Sequence, residues 1–431
     1  MIHGSRGPER ASLRTLATGD PISAEKGAMK GKDIIVGVTG GIAAYKAAEL
    51  VRLLVREEAQ VRVAMTAHAA NFVSPLTFEA LSGNRVIRRM FDEGAGAMDH
   101  IAWGQDSDLI IIAPATANFI AKMASGIGDD FLSTMILAAT AGILVCPAMN
   151  TRMYENSATQ DNLALLRRRG IRVMEPGSGQ LACRYEGPGR LPEPPEIVEE
   201  ARHVLAKQDL AGLRILVTAG PTHEPMDPVR YISNRSTGKM GYALARVGRI
   251  RGASVRLVSG PTFLDVPRGV ELEPVSTAGE MRQAVLRHFP DCDIVVMAAA
   301  VSDYRPHSTE DQKMKKGPET LTLELDRNPD ILAELGQSRK GKSCVLVGFA
   351  AETEQLLAHA GKKLQEKNLD MIVANDVSRE DAGFAVDTNE VKILFRDGQV
   401  EHLPLMGKED VAGLVLDWAK TLWNRHAAGE K

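Results

Sequence analysis

The chain of 431 residues has only 4 cysteines, all widely separated, which excludes a disulfide framework and a zinc cluster of the CxxC type. It also lacks any apolar run approaching the roughly 20 residues of a membrane helix, and residues 1–30 have no apolar core of a secretory signal. No sign of charge dominates: 52 basic residues face 55 acidic ones, a formal net of −3, so no global field favours nucleic acid or an anionic membrane. These absences predict a cytoplasmic protein with reduced thiols, and give no sign of a nucleic-acid or membrane partner. Any phosphate binding must be local.

What is present reads as globular, with 44% hydrophobic and 25% charged residues, and the length implies two or three domains. From Lys32 onward, short β-branched runs alternate with helical patterns, the signature of βαβ units around a parallel sheet. Strands are expected at 34–39, 61–66, 108–116, 143–149 and 171–174, with helices near 42–56, 118–126, 131–140, 159–169 and 196–206. The pattern restarts at RILVTAG (214–220), with further strands near 254–259, 293–300, 344–349 and 371–374. The chain is then expected to end in a hairpin, VKILFRDGQVEHLPL, turned at Asp397-Gly398. The stretch PGSGQLACRYEGPGRLPEPPEI, crowded with Gly and Pro, reads as a loop rather than an element. The expected fold is α/β, two doubly wound parallel-sheet domains (Rossmann-like or flavodoxin-like) in tandem. Residues 1–29 read as a disordered extension, 30–209 as the first domain and 210–431 as the second.

Chemistry-bearing residues collect at the ends of the expected strands. In TGGIAAYK (39–46), Gly40 and Gly41 allow a tight turn, and the helix beginning at Ile42 presents free N–H groups that suit a phosphate; a plain tight turn is the rival reading. Neither this turn nor STGKMG (236–241) is a GxGxxG or a Walker A sequence. Thr66, Thr116 and Asn118 follow apolar strands, at the edge where open α/β sheets bind ligands. Asn150, in PAMN, does the same. Helix N-capping is the rival reading for each, and the commoner one residue by residue, but polar residues at three strand ends together favour a site. His100, after the glycine-rich DEGAGAMD, carries an imidazole, the side chain most often used as a general base; a satisfied surface histidine is the rival reading. Cys146, Cys292 and Cys344 lie in apolar runs as small buried hydrophobes, whereas Cys183 sits in a polar, glycine-punctuated loop.

These segments occur in the order found in flavoprotein cysteine decarboxylases. The second half adds TAGPTHEPMDPVRYISNRSTGKMG (218–241), AAAVSDYRP (298–306), KMKK (313–316), RNPDIL (327–332), GFAAET (348–353) and KNLDMIVAND (367–376). Together they resemble the bifunctional phosphopantothenoylcysteine decarboxylase/phosphopantothenate:cysteine ligase family of bacterial coenzyme A synthesis. The resemblance spans nearly all of residues 30–425.

The resemblance implies that FMN is lined by Gly40, Gly41, Ile42, Thr66, Thr116 and Asn118. It makes His100 the base, Asn150 a substrate ligand and Cys183 the proton donor; Arg184 stands where the family commonly has glycine. In the second half it implies CTP as co-substrate, with Mg²⁺ offsetting the triphosphate. Asn234 would stabilise the acyl-cytidylate, Arg230 meet substrate and Lys313 the reacting phosphate. Met297, Ala298, Ala299, Asp303, Pro329, Asp330, Ile331, Leu332, Phe349, Lys363 and Lys367 would complete the CTP pocket. It further implies a homo-oligomer with trimeric decarboxylase and dimeric ligase contacts. Three rivals are a single-activity enzyme, a regulatory flavoprotein and an NAD-dependent oxidoreductase. The first two would be expected to lose an acid, base or signature that is present here. The third lacks both GxGxxG and an acidic residue after VRVAMT.

Overall fold

The computed structural model describes residues 29–91, 96, 98–180, 186–315, 321–339, 343–352, 356–376 and 386–429. Its first half is built on β1 (Asp33–Val38), α1 (Ala44–Arg56), β2 (Gln60–Met65), α2 (Pro75–Ser82), α3 (Asp99–Asp106) and β3 (Leu109–Ala115). It continues through α4 (Ala117–Ser125), α5 (Phe131–Leu137), β4 (Gly142–Pro147), α6 (Thr151–Glu155), α7 (Ser157–Arg168) and β5 (Arg172–Val173). The strands form one parallel sheet in the order β2-β1-β3-β4-β5. At its centre β3, LIIIAPA, is buried at every position, as a strand covered on both faces must be. On one face Ile34, Val36 and Val38 pack against Leu50, Val51 and Leu54 of α1; on the other, Ile35, Ile110 and Ile112 meet Phe119, Phe131 and Leu163. Each such side chain contributes about 1.5–3 kcal/mol when fully buried. The strand order reverses between β1 and β3, which opens a crevice outside their carboxyl ends.

The glycine-rich stretch expected as a loop instead contains β6 (Gly177–Gln180) and β7 (Glu186–Arg190), an antiparallel pair. Gly179, Gly187 and Gly189 have φ of 142°, 151° and 135°, angles that L side chains avoid. A strand made of such residues carries no β-branched alternation to read. Helix α8 (Pro194–Leu205) then returns over the first sheet.

The second half comprises β8 (Arg214–Ala219), β9 (His223–Pro225), β10 (Tyr231–Ser233), α9 (Lys239–Ile250), β11 (Ser254–Ser259), β12 (Glu271–Pro274), α10 (Ala278–His288) and β13 (Ile294–Met297). After these come β14 (Tyr304–Pro306), β15 (Leu325–Arg327), α11 (Ile331–Ser338), β16 (Val345–Glu352), α12 (Leu356–Glu366) and β17 (Met371–Asp376). The last elements are β18 (Thr388–Phe395), β19 (Val400–Gly407) and α13 (Lys408–Ala427). The sheet order is β12-β11-β8-β13-β16-β17-β18-β19, with all neighbours parallel up to β17 and the last two strands antiparallel. Its parallel part follows the 3-2-1-4-5-6 order of the Rossmann fold. Thus both halves are doubly wound α/β units, the first with flavodoxin-like and the second with Rossmann-like strand order. The hairpin does not end the chain, because the 20-residue helix α13 follows and buries Val411, Val415, Leu416 and Ala419 beside α9. Among the described residues no helix is long and apolar enough to cross a membrane.

The halves meet through charge. Arg202 of α8 pairs with Glu57 at 2.7 Å and Glu409 at 3.4 Å, and Arg246 of α9 pairs with Glu199 at 3.2 Å and Glu409 at 3.0 Å.

Candidate active sites

At the first sheet's carboxyl edge, Gly40 and Gly41 follow β1, and the residue capping α1 is Ala43, which offers no side-chain cap to the first-turn N–H groups. A Cβ on Gly40 would stand 2.4 Å from His68 Cβ, so glycine alone lets this turn lie against the turn after β2. Thr39 ties the two central strands together: its Oγ1 donates to the Pro114 carbonyl at 2.6 Å and accepts from the Thr116 N–H at 3.1 Å. Thr116 in turn caps α4 by accepting from the Phe119 N–H at 3.4 Å, with Asn118 in the same turn. Thr66 donates its N–H to the Val38 carbonyl at 3.0 Å. Asn150 caps α6, its Oδ1 accepting from the Arg152 N–H at 2.9 Å. The capping and ligand readings of Thr116 and Asn150 are therefore compatible, since the capped helices start at the site edge. Ile42 is 63% exposed and Phe72 48%, an apolar surface beside an uncapped helix start. That combination suits a planar cofactor with a phosphate tail.

His100 lies half-buried in the first turn of α3, which runs back toward the start of β3, so that turn lies toward the carboxyl edge. Cys183 and Arg184 lie outside the described residues. The flanking hairpin is nevertheless pinned to the Asn150 turn, with the Met149 N–H donating to the Gly189 carbonyl at 2.9 Å. Burial pushes the Cys146 thiol well above its ordinary range, as befits a small core hydrophobe.

The second edge is a cleft of about 440 Å³ at the point where strand order reverses between β8 and β13. The loop after β13 is stitched to the loop after β8: Ala299 N–H donates to Thr218 Oγ1 at 3.1 Å, Ser302 N–H to Thr222 Oγ1 at 3.0 Å and Ala300 N–H to the Gly220 carbonyl at 2.9 Å. Asn234 follows β10, and its Nδ2 donates to the Ala300 carbonyl at 3.0 Å. Asp330 caps α11 by accepting from the Ala333 N–H at 3.0 Å and pairs with Lys367 at 2.8 Å. Burial opposes its ionisation, but Lys367 and the Ala333 N–H prevail and hold the carboxyl below the usual range.

The cleft brings together Asn234, Met297, Ala298, Ala299, Asp303, Pro329, Asp330, Ile331, Leu332, Phe349, Lys363 and Lys367, all expected from sequence. Arg230 and Lys313 do not line it. Arg230 pairs with Asp227 at 2.6 Å and donates to the Met314 carbonyl at 3.1 Å, anchoring the segment that carries the exposed Lys313. The Arg230 guanidinium, helped by the N–H groups of Val229 and Met314, holds Asp227 well below the carboxylate range.

Two lining residues lie outside every assigned position and quoted motif: Asn389 on β18 and Lys408 at the start of α13. Only the antiparallel extension of the sheet carries both to the edge, and no local motif marks them. Burial, then the like charge of Lys239, pushes the Lys408 ammonium down to about 8 against the pull of Asp387.

A family model described as flavoprotein matches residues 22–206, and one described as DNA/pantothenate metabolism flavoprotein C-terminal domain matches residues 210–422. The coenzyme A biosynthesis bifunctional protein CoaBC of Bacillus subtilis (strain 168) is 49% identical over 393 residues, which are 90% of this chain and 96% of that protein. Its counterpart from Escherichia coli (strain K12) is 46% identical over 394 residues, 90% of this chain and 97% of that one. The crystal structure of the C-terminal domain of a CoaBC protein shares 42% identity, covering 51% of this chain and 99% of its own, at a TM-score of 0.44. Since relatives nearly half identical align along nine-tenths of its length, the chain belongs to the CoaBC family of coenzyme A biosynthesis bifunctional proteins.

Proposed function

We propose that the chain catalyses two consecutive reactions of coenzyme A synthesis. Residues 210–431 condense 4′-phosphopantothenate with cysteine using CTP, and residues 30–209 decarboxylate the product, 4′-phosphopantothenoylcysteine, to 4′-phosphopantetheine using FMN. What carries the reading is the cleft at the strand-order reversal, where a single chain gathers Asn234, the Met297–Asp303 segment, the start of α11 and two lysines of the α12 region.

In the ligase part a carboxylate oxygen attacks the α-phosphorus of CTP, and pyrophosphate leaves. Cysteine's amine then attacks the acyl carbon, and CMP leaves with the carboxyl oxygen while the amine gives up a proton. Asn234, fixed by its bond to Ala300, orients the acyl group, and Lys367 with Asp330 holds the nucleotide end. Mg²⁺ carried by the triphosphate offsets its charge. Lys313, on the segment anchored by Asp227 and Arg230, meets the reacting phosphate from outside the cleft lining.

In the decarboxylase part the uncapped start of α1 with Gly40 and Gly41 takes the FMN phosphate, and Ile42, Thr66, Thr116 and Asn118 border the cofactor. When bound, FMN would take two electrons from the substrate's thiol-bearing carbon and return them after CO₂ has left, so that the electron pair left behind by the departing CO₂ has a sink on the substrate. His100 holds the proton removed from substrate, Asn150 fixes the carboxylate end, and Cys183 protonates the decarboxylated product. The protein is cytoplasmic, and it assembles through trimeric decarboxylase and dimeric ligase contacts.

One assay tests both halves. The purified protein is expected to be yellow and to turn 4′-phosphopantothenate, CTP and cysteine into 4′-phosphopantetheine, CMP, pyrophosphate and CO₂, read by mass spectrometry. Colourless protein with no turnover after FMN is added defeats the decarboxylase reading. Absence of CMP defeats the ligase one.

A further inference from the structure

We infer that an ion-pair seam along α8 and α9 fixes the two halves of the chain so that both sheets open their carboxyl edges to the same side. The inference concerns how the two candidate sites are held, and it stands or falls separately from the reactions proposed for them.

Helix α8 has two faces. Ile197, Val198 and Ala201 are buried in the core of the first half. Glu196, Glu199, Glu200 and His203 follow the i, i+3, i+4, i+7 spacing that shares one side of a helix, and all four reach the second half. Glu196 pairs with Arg268 at 3.8 Å, Glu199 with Arg246 at 3.2 Å and Glu200 with Arg249 at 4.0 Å, while His203 Nδ1 lies 2.9 Å from the Ile250 carbonyl oxygen. Arg202, beside this stripe, reaches Glu409 at 3.4 Å. An acidic stripe on one half thus meets a basic stripe on the other.

No shared apolar core backs the contact. Among the described residues, the clusters of buried apolar side chains in the first half end at Ala201, and those in the second begin at Leu210. Orientation is therefore left to charge. An isolated exposed ion pair contributes little, but the seam is a network: Glu200, only 4% exposed, is shared between Arg172 and Arg249, and Arg246 between Glu199 and Glu409.

The contacts also give the direction. Residue 199 meets 246, 200 meets 249 and 203 meets 250, so α8 and α9 run the same way. Helix α8 runs the same way as α1 too: Glu193, which precedes α8, pairs with Lys46 in the first turn of α1 at 2.7 Å, and Arg202 near the end of α8 pairs with Glu57 just past the end of α1 at 2.7 Å. Helix α1 starts at the carboxyl edge of the first sheet, and α9 starts at the cleft, where Lys239 is part of the lining. Three helices running one way place the Gly40 turn and the cleft on one side of the molecule.

The test uses the full chain, with FMN added and a protease recognition sequence inserted between Lys207 and Gln208, cut after folding. The cut halves are expected to travel together on gel filtration in about 0.1 M salt and to separate in about 1 M, where the screening length falls from about 10 Å to about 3 Å. Glu199→Arg should lower the salt concentration of separation at least threefold, and adding Arg246→Glu should recover at least half of that loss. Halves that stay together in 1 M salt, a Glu199→Arg chain that separates as the parent does, or an Arg246→Glu partner that restores nothing overturns charge as the holding force. Parent halves that part at 0.1 M overturn the seam itself. For direction, the uncut chain with Glu196→Cys and Arg268→Cys is expected to be bridged by a short bismaleimide between those two positions, located by peptide mass spectrometry; no such bridge overturns the parallel arrangement. Unfolding temperatures like the parent's show that the variants are folded. Neither measurement needs turnover, so a failure of the proposed reactions leaves both decisive.

Discussion

In the second half, one chain closes around a cleft of 440 Å³, while in the first half the equivalent sheet edge leaves Ile42, Tyr45 and Phe72 exposed. Both are strand-order reversals in doubly wound sheets, so the strand order does not explain the difference. The connections do. After β8 and β13 the chain spends long segments crossing the edge, pinned by Thr218, Thr222 and Asn328, and an antiparallel extension adds a further wall. After β1 and β3 the helices begin almost at once. A site edged by short turns stays open. A site made of long loops carries its own enclosure.

That contrast can be broken by residue. The largest effect is expected from Cys183→Ser, which should abolish 4′-phosphopantetheine while CMP release continues; a decarboxylated but still oxidised product accumulates by mass spectrometry. Next is Asn234→Asp, which sets a carboxylate against the Ala300 carbonyl in place of the N–H that now donates to it. Loss of one such oriented donor costs about 10²–10³ in kcat, read as CMP formation, with decarboxylase turnover unchanged. Gly40→Ala must displace the His68 turn, since the new methyl would lie 2.4 Å from His68 Cβ. Overpacking of this kind costs about 1–3 kcal/mol, and flavin should bind about tenfold more weakly by absorbance titration, with ligase kinetics intact.

The smallest effect is one of pH. Lys408 has a folded pKa of about 8, below the roughly 10.4 of an unfolded lysine. Between those values the unfolded chain binds more protons, so stability rises with pH through that window, by at most about 3 kcal/mol. Urea midpoints from pH 7.5 to 10 should climb in the parent and stay flatter in Lys408→Met.

The parallel strands were legible from sequence because strands covered on both faces need unbroken apolar runs, as in LIIIAPA and RILVTA. The β6–β7 hairpin was not, because its residues are glycines at angles that propensity does not encode. The expected hairpin of β18 and β19 formed, turned at Gly398 with φ 88°, but α13 went unread although Val411, Val415 and Ala419 recur at helical spacing. For the site, the assignments of CTP-lining residues converge in one cleft, whereas Lys313 stands outside its lining. Lys408 and Asn389 escaped notice because a lysine after a hairpin and an asparagine in a strand acquire meaning only when the sheet places them beside Lys239.

The extension that ends the second sheet also fixes an order of birth. Strands of the first sheet are all in place by residue 173, whereas the ligase cleft waits for residues 389 and 408 of 431. Since chains fold from the N-terminus as they leave the ribosome, each molecule acquires the enzyme that consumes phosphopantothenoylcysteine before the one that makes it.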